Sequence, residues 1–264
     1  MQKVRPKKAL GQHFLTDLSI ARRIAATLDD YRGLPVIEVG PGMGVLTRFL
    51  LEEGHDVKVA EIDTESIAYL RREFPVLDRE GRILEGDFLQ MDLDETEPGT
   101  GPFCVIGNYP YNISSQIFFH VLDYKDRIVC CSGMLQREVA ERLAARPGTK
   151  ARGILSVLLQ TWYDVEYLFT VSENVFNPPP KVKSGVIRMT RNDVTALGCD
   201  EKLFRTVVKT SFGQRRKTLR NSIRGLIPAG APMPDSDLMA LRPEQLSVGD
   251  FIELTNLITR LREE

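Results

Sequence analysis

Cysteine, histidine, net charge and long apolar runs are all scarce in this chain, and each scarcity removes a class of protein. The only cysteines in 264 residues are Cys104, Cys130, Cys131 and Cys199. None stands in a CxxC pair and two are adjacent, which argues against a disulfide framework or a zinc site and suits a reducing cytosol. The three histidines are scattered, and their spacing assembles no metal site. Net charge is −1, so the molecule as a whole is not a basic polyanion binder. No apolar run is long enough to cross a bilayer, and no apolar stretch of the signal-peptide kind follows the basic N-terminus. The expectation is a cytoplasmic protein with no bound metal and no membrane partner.

What is present suffices for a folded core. The chain is 42% hydrophobic, which excludes a wholly disordered protein, and its length suits one large domain with a small one. Charge is unevenly spread. The first 16 residues carry Lys3, Arg5, Lys7 and Lys8 and no acid. Residues 205–224 carry Arg205, Lys209, Arg215, Arg216, Lys217, Arg220 and Arg224, again with no acid. Acids gather between Asp78 and Glu97. Two basic stretches on a near-neutral chain suit local phosphate contact, or simply solvated helix faces.

Along the chain, apolar spacing predicts a helix over 16–28 capped by Asp17, a strand at 36–39, and a glycine-rich turn leading to a helix at 45–51. A strand at 57–60 ends at Glu61. A helix at 66–74 precedes a strand at 82–84 that ends at Gly86-Asp87. Strands at 103–106 and 128–131 flank a helix that begins near Ser114. This alternation predicts a parallel α/β sheet with helices on both faces. A helix at 155–161 and strands at 163–171 and 185–189 follow. Between those strands lies Asn177-Pro178-Pro179-Pro180, which cannot be central strand, so the sheet is expected to end antiparallel. After Asn192 come short helices at 201–211, 217–226, 236–239 and 248–261, interrupted by the Pro/Gly stretch 228–234. The expected domains are 1–192, opening on the basic segment 1–16, and an all-helical 193–264.

Two loops carry chemistry. Glu38-Val39-Gly40-Pro41-Gly42-Met43-Gly44 joins a strand to a helix, where glycines permit a tight turn and close backbone approach to a ligand. By itself this suits a nucleotide loop, a dinucleotide loop or an ordinary turn. Glu61, about 20 residues on, stands where an acid holds ribose hydroxyls, and Asp87 ends the next strand, where it can accept from an adenine amino group. The second loop is Asn108-Tyr109-Pro110-Tyr111, expected just beyond a strand that Gly107 terminates. The tetrapeptide resembles the Asn-Pro-Pro-Tyr type signature of methyltransferases that modify exocyclic amino groups, and such an amine is a poor nucleophile because its lone pair is delocalised into the ring. Two acceptors, the Asn108 amide oxygen and the Pro110 carbonyl, would localise that pair. Pro110 stiffens the turn, and Tyr111 can stack on an extruded base, although core packing also suits that ring. Positioning and electrostatics then carry catalysis, and no metal is needed.

The ordered set Glu-x-Gly-x-Gly-x-Gly, acid, acid, Asn-x-Pro-Tyr resembles class I S-adenosylmethionine-dependent methyltransferases. Leu10-Gly11-Gln12-His13-Phe14-Leu15, Asn112-Ile113-Ser114-Ser115 and Met134-Leu135-Gln136-Arg137-Glu138-Val139 resemble segments of the ribosomal RNA adenine N6,N6-dimethyltransferase family. Phe176-Asn177-Pro178-Pro179-Pro180-Lys181-Val182 and Phe212-Gly213-Gln214-Arg215-Arg216-Lys217-Thr218-Leu219-Arg220-Asn221 resemble its small-subunit members. The resemblance implies a Rossmann-like, mostly parallel seven-stranded sheet with a small helical C-terminal domain. It implies dimethylation of two adjacent adenosines near the 3′ end of 16S rRNA, in the 30S particle or its precursor, by a monomer that uses S-adenosylmethionine. As cofactor residues it implies Gln12, His13, Leu15, Glu38, Gly40, Gly42, Gly44, Glu61, Ile62, Asp87, Phe88 and Asn108. At the reacting amine it implies Asn108, Pro110, Tyr111 and Phe176, with Phe176 opposite Tyr111. For RNA it implies a basic helix around Arg215, Arg216, Lys217 and Arg220.

Three residues depart from the family pattern: His13 for an Asn, Tyr109 for a Leu, and Arg152 where an aromatic is common. None replaces Asn108, Pro110 or Tyr111. Two alternatives compete with the main reading: a resistance-type enzyme acting on 23S rRNA, against which the Gln-Arg-Arg-Lys-Thr-Leu-Arg-Asn segment argues, and an assembly checkpoint protein whose methylation is secondary. A nicotinamide dehydrogenase is disfavoured by the Asn-Tyr-Pro-Tyr loop and by Pro41 in the turn.

Overall fold

A computed structural model describes residues 6–7, 10–97 and 100–263. Lys3, Arg5 and Lys8 of the basic N-terminal segment lie outside the described residues. The strands are β1 (Phe14–Leu15), β2 (Pro35–Val39), β3 (Asp56–Glu61), β4 (Ile83–Glu85), β5 (Phe103–Asn108), β6 (Ile128–Gln136), β7 (Tyr163–Val171), β8 (Phe176–Asn177) and β9 (Ser184–Arg191). Seven form one sheet in the order β4-β3-β2-β5-β6-β9-β7. The neighbours from β4 to β6 are parallel, and β9 runs antiparallel to β6. Both the parallel body and the antiparallel ending match the sequence reading.

The central strands are near-continuous apolar runs because helices cover both faces. Val36 and Ile37 of β2 and Cys104, Val105 and Ile106 of β5 are fully buried. On one side, Ala21, Ile24 and Leu28 pack in the same core cluster as Val57, Val59, Cys130 and Met134. Asp17 caps the helix Leu18–Ala25, its carboxylate accepting from the Ser19 N–H at 2.9 Å and the Ile20 N–H at 3.3 Å. That helix stops earlier than expected, and residues Ala26–Tyr31 wind as a 3₁₀ turn.

Register brings the functional loops to one edge. Val39 of β2 lies opposite Ala60 and Gly107, and Glu61 lies opposite Glu85. The turn after β2, Glu61, the segment after β4 and Asn108 therefore all emerge at the carboxyl ends of parallel strands, where open α/β sheets bind ligands. Gly107 does not end β5 as expected; the strand continues through Asn108. A Cβ on Gly107 would lie 2.7 Å from the Val39 carbonyl oxygen, so this glycine serves close strand packing. Periodicity did not reveal the two-residue ladder β1–β8, in which Phe14 faces Asn177 and Leu15 faces Phe176.

The chain divides into two compact units, Met1–Ala140 with Asp164–Arg191, and Glu141–Tyr163 with Asn192–Glu264. The expected single boundary at 192 misses that 141–163 clusters with the C-terminal helices. Within that second unit the helix Ile154–Gln160 packs on Glu201–Gly213, which also packs on Val248–Glu263. Phe212 and Phe251 stack with centroids 6.1 Å apart. Arg152 is fully buried. Its guanidinium donates to the Ala145 carbonyl at 2.7 Å and to Gln160 Oε1 at 2.6 Å, so the departure from the family pattern ties the 141–163 segment together.

Candidate active site

The turn after β2 is built by glycines. Gly40, Gly42 and Gly44 have φ of 66°, 55° and 68°, left-handed backbone that residues with a Cβ adopt at a cost. The Gly40 N–H donates to the Ala60 carbonyl at 2.9 Å, and the Gly44 N–H to the Pro41 carbonyl at 2.8 Å. Gly40 and Gly42 line a cleft; Gly44 does not. A Cβ on Gly44 would fall 2.3 Å from Phe74. Gly44 therefore starts the helix Val45–Glu52 packed closely against Phe74.

Glu61, at the end of β3, is 4% exposed and organises the loop. Its Oε2 accepts from the Gly42 N–H at 3.0 Å, and its Oε1 from the N–H groups of Ile62 and Asp63, both at 2.9 Å. A carboxylate offers about four lone-pair sites, so capacity remains for a hydroxyl. Burial raises the Glu61 pKa, opposed by these three N–H donors. Glu38 is 1% exposed and takes the Thr47 hydroxyl at 2.6 Å. Burial pushes its pKa up to about 8, opposed by the Thr47 hydrogen bond. Burial thus favours its neutral acid form at the cleft wall. Asp63 is held below the ordinary carboxylate range: burial acts to raise it, but Lys7 and Ser66 together outweigh that. Lys7 pairs with Asp63 and lies 3.2 Å from Glu65. Of the basic N-terminal residues, Lys7 thus serves the acids beside the cleft.

Asp87 lies two residues past β4 and caps the short turn Phe88–Gln90, its Oδ1 accepting from the Leu89 N–H at 3.0 Å. Oδ2 remains for a ligand. Ile62 is 52% exposed on the rim of the cleft, while Phe88 is buried, edge-on to His120 at 5.2 Å. Gln12, His13 and Leu15 also line the cleft. Gln12 accepts from the Lys7 N–H at 2.8 Å, and His13 Nδ1 lies 2.8 Å from the Pro178 carbonyl. Leu10, Gly11, Met43 and Gly86 line it too; each stands beside a predicted site residue in the sequence.

The second loop closes the cleft. Asn108 Nδ2 donates to the His13 carbonyl at 3.1 Å, which fixes the amide so that its oxygen is the free acceptor. The Pro110 carbonyl accepts the Ile113 N–H at 3.2 Å and keeps a second lone pair. The Tyr111 ring stacks on His13 (centroids 5.4 Å apart, planes at 28°), and its hydroxyl lies 2.5 Å from Ser184 Oγ. Tyr109 points the other way. It is 1% exposed, and its hydroxyl donates to the Ser132 carbonyl at 2.7 Å, anchoring the loop to β6. Phe176, on β8 beside β1, is buried in the core cluster and does not line the cleft. In the second unit, Arg215, Arg216 and Lys217 lie in a turn and only Arg220 is helical, in Leu219–Ser222. The single basic helix expected there is therefore a turn followed by one helical turn.

Buried carboxyl groups, a left-handed glycine turn and paired acceptors at the carboxyl edge of this sheet define a class I, S-adenosylmethionine-dependent methyltransferase. Residues 3–260 match the description of the family Ribosomal RNA adenine dimethylase. Over 255 residues the chain is 68% identical to the ribosomal RNA small subunit methyltransferase A of Parabacteroides distasonis, covering 97% of this chain and 94% of that one. A crystal structure of a dimethyladenosine transferase from Plasmodium falciparum shares the fold, with TM-score 0.78 at 22% identity over 95% of this chain and 98% of that one. The 23S rRNA methyltransferase ErmE gives TM-score 0.65 at 27% identity over 94% and 99%. The chain belongs to the ribosomal RNA adenine dimethylase family and is an S-adenosylmethionine-dependent rRNA adenine dimethyltransferase.

Proposed function

We propose that the chain dimethylates the N6 amino groups of two adjacent adenosines near the 3′ end of 16S rRNA, acting in the cytoplasm as a monomer on the 30S particle or its precursor. The observation that carries the amine chemistry is the Asn108–His13 hydrogen bond. It commits the amide NH₂ to protein and leaves Oδ1 for a substrate N–H. The small-subunit assignment rests on the 68% identical relative and on the segment 212–221.

S-adenosylmethionine, when bound, supplies an activated methyl on a sulfonium. The chain's residues do the rest. Gly40 and Gly42 let backbone approach the methionine end, Glu61 accepts from the ribose, and Asp87 Oδ2 accepts from the cofactor adenine. In the first transfer Asn108 Oδ1 and the Pro110 carbonyl accept hydrogen bonds from the two N–H groups of the target amine, localising its lone pair toward the methyl; in the second, the one remaining N–H bonds to one of them, and each transfer releases one N6 proton to water. Tyr111, with its ring plane held by His13 and Ser184, stacks on the target adenine. The acceptors are set before substrate arrives, so little reorganisation is needed at the moment of transfer.

The test is methyl transfer from labelled S-adenosylmethionine to purified 30S and 50S particles that lack the modification, with Asn108→Ala in parallel. Label is expected in 16S rRNA as dimethyladenosine. Asn108→Ala is expected to lose at least about a hundredfold in transfer while cofactor binding changes far less. Label confined to large-subunit RNA would overturn the substrate. Equal loss of binding and transfer would make Asn108 a cofactor holder only.

A further inference from the structure

The opposite end of the sheet holds a second cluster of ligating groups. Asp29, Glu53 and His55 each offer one atom, and these atoms lie within 4.8 Å of one another. They come from two places. Asp29 is in the 3₁₀ turn Ala26–Tyr31. Glu53 and His55 flank Gly54 in the reversal between the helix Val45–Glu52 and β3. Three backbone bonds fix that reversal: Glu53 N–H to Phe49, Gly54 N–H to Leu51 and His55 N–H to Leu50, each at 3.0 Å. Gly54 has φ 80°, so the backbone turns sharply between the two ligating residues.

His55 is 4% exposed, yet among the described residues neither ring nitrogen has a hydrogen-bond partner, and the buried Glu53 Oε2 also has none. Buried polar groups are nearly always satisfied, and an exception calls for an ion or a water. An imidazole with two bare nitrogens beside two carboxylates is a donor set for a cation. Arg32 takes Asp29 Oδ1 at 2.9 Å, which leaves Oδ2 uncommitted. One nitrogen and two carboxylate oxygens suit a borderline divalent transition metal; Mg²⁺ and Ca²⁺ prefer all-oxygen shells.

We propose that Asp29, Glu53 and His55 form a binding site for a divalent transition-metal ion of the Zn²⁺ type, with water completing the coordination. The five residues of β2 separate this end of the sheet from the cofactor cleft by about 16 Å. The ion therefore takes no part in methyl transfer; it fastens the 3₁₀ turn to the reversal before β3. The spread of the histidines in sequence hides the site, because Asp29 and His55 meet only through the fold.

The experiment uses untagged full-length protein stripped with a chelator. ZnCl₂ is titrated by calorimetry and by thermal unfolding, with MgCl₂ as the contrast and with Glu53→Gln and His55→Gln alongside wild type. One Zn²⁺ per chain is expected to bind and to raise Tm by about 5 °C at saturation. Each variant should weaken binding by at least about tenfold, with S-adenosylmethionine affinity unchanged. Glu53 is only half-buried and its replacement is isosteric, so this variant reads the site even where His55→Gln folds poorly. Absence of stoichiometric binding at about 100 µM Zn²⁺ overturns the proposal. So does binding that survives intact in Glu53→Gln, which would place the ion elsewhere, for example on the cysteines.

Discussion

Glu38 shows how burial changes what an acid can do. In sequence it reads as the charged member of a cofactor loop. In the structure it lies under that loop, hydrogen-bonded to Thr47, with its pKa pushed up to about 8 chiefly by burial. The sign of the stability effect follows. In the unfolded chain this carboxyl ionises above 4.5, while in the folded chain it keeps its proton until about pH 8. Between those values the folded state holds more protons, so stability falls as pH rises through the window. The displacement is worth on the order of 4 kcal/mol between the ends of that window. Glu38→Gln keeps the Thr47 bond and cannot ionise. Urea unfolding from pH 5 to pH 8 should show the variant gaining on wild type steadily as pH rises. Parallel curves would mean that Glu38 is ionised in the folded protein.

At the scale of elements, the turn between β2 and the helix Val45–Glu52 depends on Gly44. Alanine there would meet two penalties: left-handed backbone at φ 68° and a Cβ driven 2.3 Å from Phe74. Gly44→Ala should cost about 2–4 kcal/mol, read as a lower urea midpoint with an unchanged m-value. A loss below about 0.5 kcal/mol would show that Phe74 yields freely. The same turn shows what a sequence can disclose. Its glycines, the strand before it and the helix after it were all legible, because apolar period and turn chemistry are local properties. Asn108, Glu61 and Asp87 were legible as strand-end residues for the same reason. Three features were not. Gly107 looks like a strand terminator but sits inside β5, since only the neighbouring carbonyl of Val39 explains it. The burial of Phe176 is hidden too, because the β1–β8 ladder beside it is made across about 160 residues. Segment 141–163 looked like sheet-domain chain, although its partners are helices that begin 40 residues later. Each miss concerns a contact between residues distant in sequence, which no local pattern encodes.

For the molecule as a whole, a net charge of −1 leaves no general attraction to RNA, so binding must come from local cations. The sites differ in how much charge they have to give. Lys7 is committed to Asp63 and Glu65, and Arg215 donates to the Lys150 carbonyl and lies 4.0 Å from Glu244. Arg216, Lys217 and Arg220 are exposed and form no ion pair among the described residues. We propose that these three meet the phosphate backbone; Lys209 and Arg224 of the same basic stretch are exposed as well and likewise form no ion pair among the described residues. Each phosphate contact contributes about 0.7 to 0.9 to the slope of log affinity against log salt. Replacing all three with Gln should weaken binding to 30S particles and make that slope shallower by about 2 to 3, while cofactor affinity stays the same. Arg215→Gln should change the slope by less than any of the three, because its guanidinium is already spent on protein. A triple variant that binds more weakly with the salt slope unaltered would show that these residues hold the turn rather than the RNA.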